Sequence, residues 1–222
     1  HTPNSYRPGD IRKIRDTLSG DRLYKNESQK FVDVSEEAGI YGGANGYGLA
    51  LNIADFNNDG YPDIYVANDF HENDYLYINN KDKTFTESIA TYANTTSQFS
   101  MGVDIADINN DQLSDIFTTD MLPFQEEIYL KSGGEDTDQI KRIKKDLGFE
   151  TQNARNHLHI NSTGAYLTDR AYETKTFATD WSWSVLAQDF DNNGWKDLFI
   201  TNSIVKRPND LDYINYLNSN AV

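Results

Sequence analysis

Large apolar and small or polar residues alternate in short runs along this chain, and one such run recurs three times. Leu49-Ala-Leu51-Asn-Ile53-Ala, Met101-Gly-Val103-Asp-Ile105-Ala and Trp183-Ser-Val185-Leu-Ala187-Gln all have the period of two that marks a strand with one buried face. Each is followed, after an acidic stretch, by a second run: Ile64-Tyr-Val66-Ala, Ile116-Phe-Thr118-Thr and Leu198-Phe-Ile200-Thr. These are rich in β-branched and aromatic residues, which fit a pleated, half-buried surface. The pattern predicts three hairpins, each closed by an acidic turn.

The turns read Asp55-Phe-Asn57-Asn-Asp59-Gly60-Tyr61-Pro-Asp63, Asp107-Ile-Asn109-Asn-Asp111-Gln112-Leu113-Ser-Asp115 and Asp189-Phe-Asp191-Asn-Asn193-Gly194-Trp195-Lys-Asp197. Oxygen-bearing side chains stand at positions 1, 3, 5 and 9 of each, with a turn residue at position 6. Two carboxylates about 4 Å apart repel by roughly 4 kcal/mol at an effective dielectric near 20. A hard divalent cation that takes six to eight oxygens converts that repulsion into a binding site. We therefore expect up to three Ca2+ ions, held by Asp55, Asn57, Asp59 and Asp63, by Asp107, Asn109, Asp111 and Asp115, and by Asp189, Asp191, Asn193 and Asp197. The position-7 residues Tyr61, Leu113 and Trp195 would add backbone carbonyls. The first turn has every expected residue. Gln112 replaces the glycine of the second, at a cost of about 1 kcal/mol if the backbone is left-handed there. Asn193 replaces an aspartate in the third, and Asp191 restores the charge.

Alternative readings of the turns fail on their surroundings. An EF-hand needs a bidentate Glu at position 12 and flanking helices; position 12 here is Val66, Thr118 or Ile200, inside a predicted strand. A surface turn explains one copy, but not three in fixed register.

That register extends upstream. Asp21-Arg-Leu23-Tyr24-Lys-Asn26, Asp74-Tyr-Leu76-Tyr77-Ile-Asn79 and Asn156-His-Leu158-His159-Ile-Asn161 precede the turns, with the leucine 32, 31 and 31 residues before the first loop aspartate. A repeat of about 50 residues rich in short strands suggests propeller blades. The expected architecture is all-β: part of one β-propeller of about three blades, with repeat units near 20–72, 73–120 and 153–205. Between the second and third lies a short helical insertion near 121–152, in which Thr137 caps a helix carrying Ile140, Ile143 and Leu147 ahead of Gly148. A C-terminal helix is expected near 208–218, with Leu211, Ile214 and Leu217 at helical spacing. Three blades do not close a propeller, so we expect the chain to be a fragment of a longer polypeptide or packed against a protein partner.

Composition sharpens this. The net charge of −15 argues against nucleic acid and anionic membranes as partners. Nine of the 35 acidic residues lie in the turns, so much of the acidity reads as ion-binding charge. There is no cysteine, hence no disulfide framework or thiolate metal site. No apolar run is long enough to span a membrane, so direct membrane insertion is not expected. His157 falls in the strand slot of Arg22 and Tyr75, and His159 in that of Tyr24 and Tyr77, so both are read as ordinary strand residues rather than a metal pair. Trp183 aligns with Leu49 and Met101, which suggests core packing, whereas Trp195 is the better candidate for an exposed sugar-stacking indole. No nucleophile or phosphate-loop motif appears, and the strong acidic pairs all belong to the turns, so no catalysis is expected.

The turns resemble those of FG-GAP or VCBS repeats of integrin-α-like β-propellers. Thr119-Asp-Met-Leu-Pro123, Arg155-Asn-His-Leu-His-Ile-Asn161, Thr179-Asp-Trp-Ser-Trp-Ser184, Asp197-Leu-Phe-Ile-Thr-Asn202 and Arg207-Pro-Asn-Asp-Leu-Asp212 are similar to bacterial VCBS-repeat proteins of the ASPIC/UnbV type. The resemblance implies a secreted or cell-surface, metal-binding, non-catalytic module for protein–protein interaction or adhesion. Two alternatives stand beside it: a glycan-binding accessory of an outer-membrane nutrient-uptake system, or, further off, a polysaccharide-cleaving enzyme, whose paired acids would have to lie outside the nine loop aspartates.

Overall fold

The computed structural model describes residues 9–132, 136–204, 207 and 210–219. A 3-10 turn at Gly9–Lys13 leads into fourteen described strands. These are β1 (Tyr24–Glu27), β2 (Lys30–Asp33), β3 (Gly48–Ala54), β4 (Asp63–Asn68), β5 (Tyr75–Asn79), β6 (Phe85–Glu87), β7 (Thr96–Ser97), β8 (Gly102–Ala106), β9 (Asp115–Thr119), β10 (Gln152–Asn153), β11 (His157–Asn161), β12 (Leu167–Asp169), β13 (Ser182–Gln188) and β14 (Asp197–Asn202). Among the described residues four helices accompany them: α1 (Ile89–Tyr92), α2 (Glu126–Tyr129), α3 (Asp138–Asp146) and α4 (Leu211–Ser219).

The three predicted hairpins are present as β3–β4, β8–β9 and β13–β14, all antiparallel. Two of them grow into four-stranded antiparallel sheets, β3-β4-β5-β6 and β8-β9-β11-β12. The other two sheets of this kind have two strands each: β1–β2 and β13–β14. The sheet thus starts at the strand before the acidic turn, whereas the sequence repeat was phased on the leucine phrase. A unit such as 20–72 therefore takes β1 and β2 from one sheet and β3 and β4 from the next. The helical insertion likewise lies inside one sheet, between its second and third strands β9 and β11.

Alternation along each strand sends successive side chains into different cores. Ile116 joins Phe56, Tyr65, Leu76, Ile89, Val103 and Leu167 between the two four-stranded sheets. Its neighbour Phe117 joins Leu158, Ala171 and Val185, against which Leu198 and Ile200 of β14 pack. On the far side, Val66, Tyr75 and Tyr77 pack with Ile40 and, partly buried, Leu23. The order of layers is therefore β1–β2, first four-stranded sheet, second, then β13–β14. Asp104 on β8 ties three of these layers at their first strands: it accepts from Asn52 Nδ2 at 2.8 Å and from the Ala187 N–H at 2.7 Å.

The insertion folds as the sequence predicts. Thr137 Oγ1 accepts from the Ile140 N–H, and Gly148 ends the helix at φ +81°. Its anchor was not foreseen: Lys144 is buried and bonds both Asp136 and Gln152, while Gln152 Nε2 reaches the carbonyls of Glu72 and Ser97. β10 pairs with β7 in parallel, closing the insertion back onto the sheets. In the C-terminal helix, Leu211 to Ser219 are described, while Pro208 lies outside the described residues. Trp183 corrects one expectation: it is 41% exposed rather than buried, at the irregularity in the β13–β14 pairing between Ser182 and Ser184, while Val185 and Ala187 further along β13 are buried.

Candidate metal centres in the three acidic hairpins

The three turns fold alike, down to individual hydrogen bonds. The position-1 aspartate spans the turn with both oxygens. Asp55 accepts from the N–H groups of Asp59 (3.0 Å) and Gly60 (2.7 Å), Asp107 from those of Asp111 (3.0 Å) and Gln112 (2.9 Å), and Asp189 from those of Asn193 (3.1 Å) and Gly194 (2.8 Å). The position-5 side chain then accepts from the position-7 amide, that of Tyr61, Leu113 or Trp195. Such folding around side-chain oxygens requires left-handed backbone at two points. Position 6 has φ of +87° at Gly60, +70° at Gln112 and +91° at Gly194. Position 4 has φ of +59° at Asn58, +60° at Asn110 and +59° at Asn192. Asn tolerates this region better than other non-glycine residues. The sequence carries that signal as an Asn at position 4 in all three copies.

Gln112 keeps the bond that Gly60 and Gly194 make, so the second turn is not misfolded; it is strained. Replacing Gln112 with Gly is expected to stabilise the chain by about 1 kcal/mol, read from urea unfolding. No gain would mean that Gln112 is held by something beyond its backbone.

Positions 3 and 5 pair with each other. Asn57 Nδ2 donates to Asp59 Oδ2 (2.9 Å), Asn109 Nδ2 to Asp111 Oδ2 (2.8 Å), and in the third turn the direction reverses, Asn193 Nδ2 donating to Asp191 Oδ2 (3.0 Å). One amide and one carboxylate therefore stand side by side in every copy. This gives a physical reason for the Asp191–Asn193 exchange: each turn keeps three carboxylates and one amide–carboxylate pair at positions 3 and 5. In the third turn Asp189, Asp191 and Asp197 each bring an oxygen within 4.8 Å of the others. In the first two turns the corresponding position 3 is an asparagine, whose oxygen is an equally hard donor.

The position-9 aspartate does the most structural work. Asp63 and Asp115 are fully buried. Their Oδ2 atoms accept from the Phe56 and Ile108 N–H groups within the turn, and their Oδ1 atoms accept from the Asn79 and Asn161 N–H groups on the next strand, both at 2.8 Å. Burial pushes both carboxyls above the usual range, opposed by those N–H groups. Among the described residues Asp197 has only the first of these bonds, from the Phe190 N–H at 3.1 Å, and is half-buried. The N–H groups of Gly194 and Asn193 hold the Asp189 carboxyl below its ordinary value. At Asp59 partial desolvation acts upward, but bonds from Asn57, the Tyr61 N–H and Lys81 outweigh it. Lys81 Nζ lies 3.3 Å from Asp59 and 5.3 Å from the Tyr61 ring centre, a cation already beside the first turn.

The donor set suits a hard, oxygen-preferring cation. It is all oxygen, carries three carboxylates per turn, and lacks sulfur and nitrogen ligands. His157 and His159 lie elsewhere, stacked and fully buried in β11, with His159 Nε2 on the Thr95 carbonyl and His157 beside Asp169.

The model of the FG-GAP-like repeat matches this chain twice, over residues 14–66 and 55–118. Both matches include the first acidic turn, and the second match also includes the second turn. A comparison with curated proteins gives no match.

Proposed function

We propose that the chain is a calcium-stabilised segment of a β-propeller, of the ASPIC/UnbV kind, serving as a non-catalytic binding or scaffold module outside the cell. The observation that carries this is the threefold recurrence of one carboxylate-lined turn, each copy joining the first two strands of a sheet. Asp55, Asn57, Asp59 and Asp63, with their counterparts in the other turns, would hold the ion. Its chemistry would be electrostatic: it neutralises three carboxylates that otherwise repel across a few ångströms. The chain's own residues do the rest, since the position-1 and position-9 aspartates fix the turn to its strands. Loops of this type that bind weakly fill where calcium is near millimolar, which favours an extracellular or cell-surface setting.

Binding to the folded state alone stabilises it in proportion to the logarithm of free ligand over its dissociation constant. The thermal midpoint is therefore expected to rise between excess chelator and millimolar calcium, and to rise less with magnesium, which demands tighter octahedral geometry. An unchanged midpoint would refute the reading. A glycan-binding role has one supporting observation, the 55% exposed indole of Trp195. A glycan array comparing the chain with a Trp195→Ala variant tests it.

A further inference from the structure

A buried line of hydrogen bonds joins the first acidic turn to the second. In the first turn the Phe56 N–H donates to Asp63 Oδ2 (2.9 Å). The carbonyl of the same Phe56 accepts from Nδ2 of Asn161 (2.8 Å), a residue of the other four-stranded sheet. The Asn161 N–H donates to Asp115 Oδ1 of the second turn (2.8 Å). Asp63, Phe56, Asn161 and Asp115 are all fully buried, so each link acts in a low dielectric and away from water. Asn161 Oδ1 is held as well, by the Gly164 N–H (2.8 Å), and Gly164 rests on the first turn: a Cβ there would stand 3.6 Å from the Asn57 carbonyl oxygen.

The matching residue of the first sheet does not reach out in this way. Asn79 gives its N–H to Asp63 as Asn161 does to Asp115, but its Nδ2 turns back to the Pro62 carbonyl of the same turn (3.0 Å). Between the second and third turns, Asn110 Nδ2 donates to the Gly194 carbonyl (3.0 Å) in an exposed place. Water competes for both groups there, and the net worth of such a bond is small.

We infer that the first two turns bind cations as a coupled pair while the third binds independently, with Asn161 as the positioning residue between the coupled two. The inference rests on the calcium reading above. Asp115 offers an ion the lone pairs that its two N–H partners, Ile108 and Asn161, leave free. Those partners set where its oxygens point, and the side chain of one of them is anchored on Phe56. An ion in the first turn orders the backbone from Asp55 to Asp63, Phe56 included, and so orders Asn161 and its bond to Asp115. The second ion then meets a carboxylate already in place. Ordering that two ligands share raises the affinity of whichever binds second, and the effect is reciprocal.

The test follows a calcium titration by nuclear magnetic resonance through the amides of Gly60, Gln112 and Gly194, which sit on the position-1 aspartates of the three turns. Salt at about 0.15 M screens exposed charges. Asp59→Asn weakens the first site by one carboxylate; the third turn already carries Asn193 at that position, with its Oδ1 on the Trp195 N–H. In this variant the midpoint at Gln112 is expected to rise at least about fivefold, and that at Gly194 less than about twofold. Asp111→Asn should in turn raise the midpoint at Gly60. Asn161→Ala removes the link and keeps the backbone N–H on Asp115, and on that background Asp59→Asn should no longer move Gln112. A charge effect would survive Asn161→Ala, whereas the hydrogen-bonded link would not. Should Asn161→Ala unfold, the Gln112 and Gly194 midpoints in Asp59→Asn still decide the matter. A Gln112 midpoint unmoved by Asp59→Asn, or moved no more than that of Gly194, overturns the coupling and leaves the calcium reading intact. No titration at any of the three amides overturns both.

Discussion

Replacing Asp63 with Ala, measured by urea unfolding in excess chelator, is expected to cost about 2–4 kcal/mol, and replacing Asp197 with Ala only about 1. Both residues hold position 9 of an acidic turn, so a purely ion-binding role predicts equal and small effects once the ion is removed. The hydrogen bonds predict otherwise. Asp63 is fully buried and accepts from two backbone N–H groups, those of Phe56 and Asn79. Alanine leaves both N–H groups without a partner, and each buried orphan costs roughly 1–3 kcal/mol. Part of this is returned, because the buried carboxylate itself is unfavourable, as its upward-shifted pKa records. Asp197 makes one such bond in a more exposed place. Asp115→Ala should follow Asp63→Ala, since it bonds the Ile108 and Asn161 N–H groups in the same way. Equal losses at Asp63 and Asp197 would show that the second bond, to the following strand, contributes nothing.

That contrast also marks how far the sequence could be read. The turns and their flanking strands were legible because their signals are local: a period of two, an acidic cluster and a turn residue, repeated three times. The insertion helix was legible for the same reason, from Thr137 at one end to Gly148 at the other. The phase of the sheets was not. A repeat read along the chain has no natural starting point, and only the pairing of β4 with β5 and of β9 with β11 shows that the leucine phrase is the third strand of each sheet. The role of the position-9 aspartate was half-seen, as a ligand. Its grip on the next strand depends on Asn79 and Asn161, which lie 16 and 46 residues away, and no local pattern links them. Trp183 was misplaced because its aligned partners Leu49 and Met101 were assumed to be core; Leu49, too, is exposed, at 51%.

A fully buried acid just before the third strand of the first four-stranded sheet is expected to govern stability against pH. Asp74 is fully buried, with Oδ1 on the Asn68 N–H and Oδ2 on the hydroxyls of Tyr65 (2.7 Å) and Ser100 (3.1 Å). Burial raises its pKa to about 7, the three hydrogen bonds oppose the rise, and the nearby Asp120 carboxylate adds to it. A folded-state pKa above the unfolded value means that the fold prefers the protonated acid. The associated stability is complete below about pH 4 and is lost as pH rises through 7. The chain is therefore expected to be more stable at pH 5 than at pH 8. Asp74→Asn removes the charge and keeps the Oδ1 acceptor, as Asn156 does for the Asp120 N–H in the next sheet. The new amide faces two hydroxyls, and a hydroxyl can turn to accept. The variant should gain on the order of 2–4 kcal/mol at pH 8 and show a shallower slope from pH 5 to 8, with Asp120, also pushed upward by burial, supplying what slope remains. Asp74→Ala should lose stability at every pH, because the Asn68 N–H is left unpaired in a buried place. Urea unfolding at four pH values separates the outcomes: an Asp74→Asn slope equal to that of the unsubstituted chain would place the titration elsewhere.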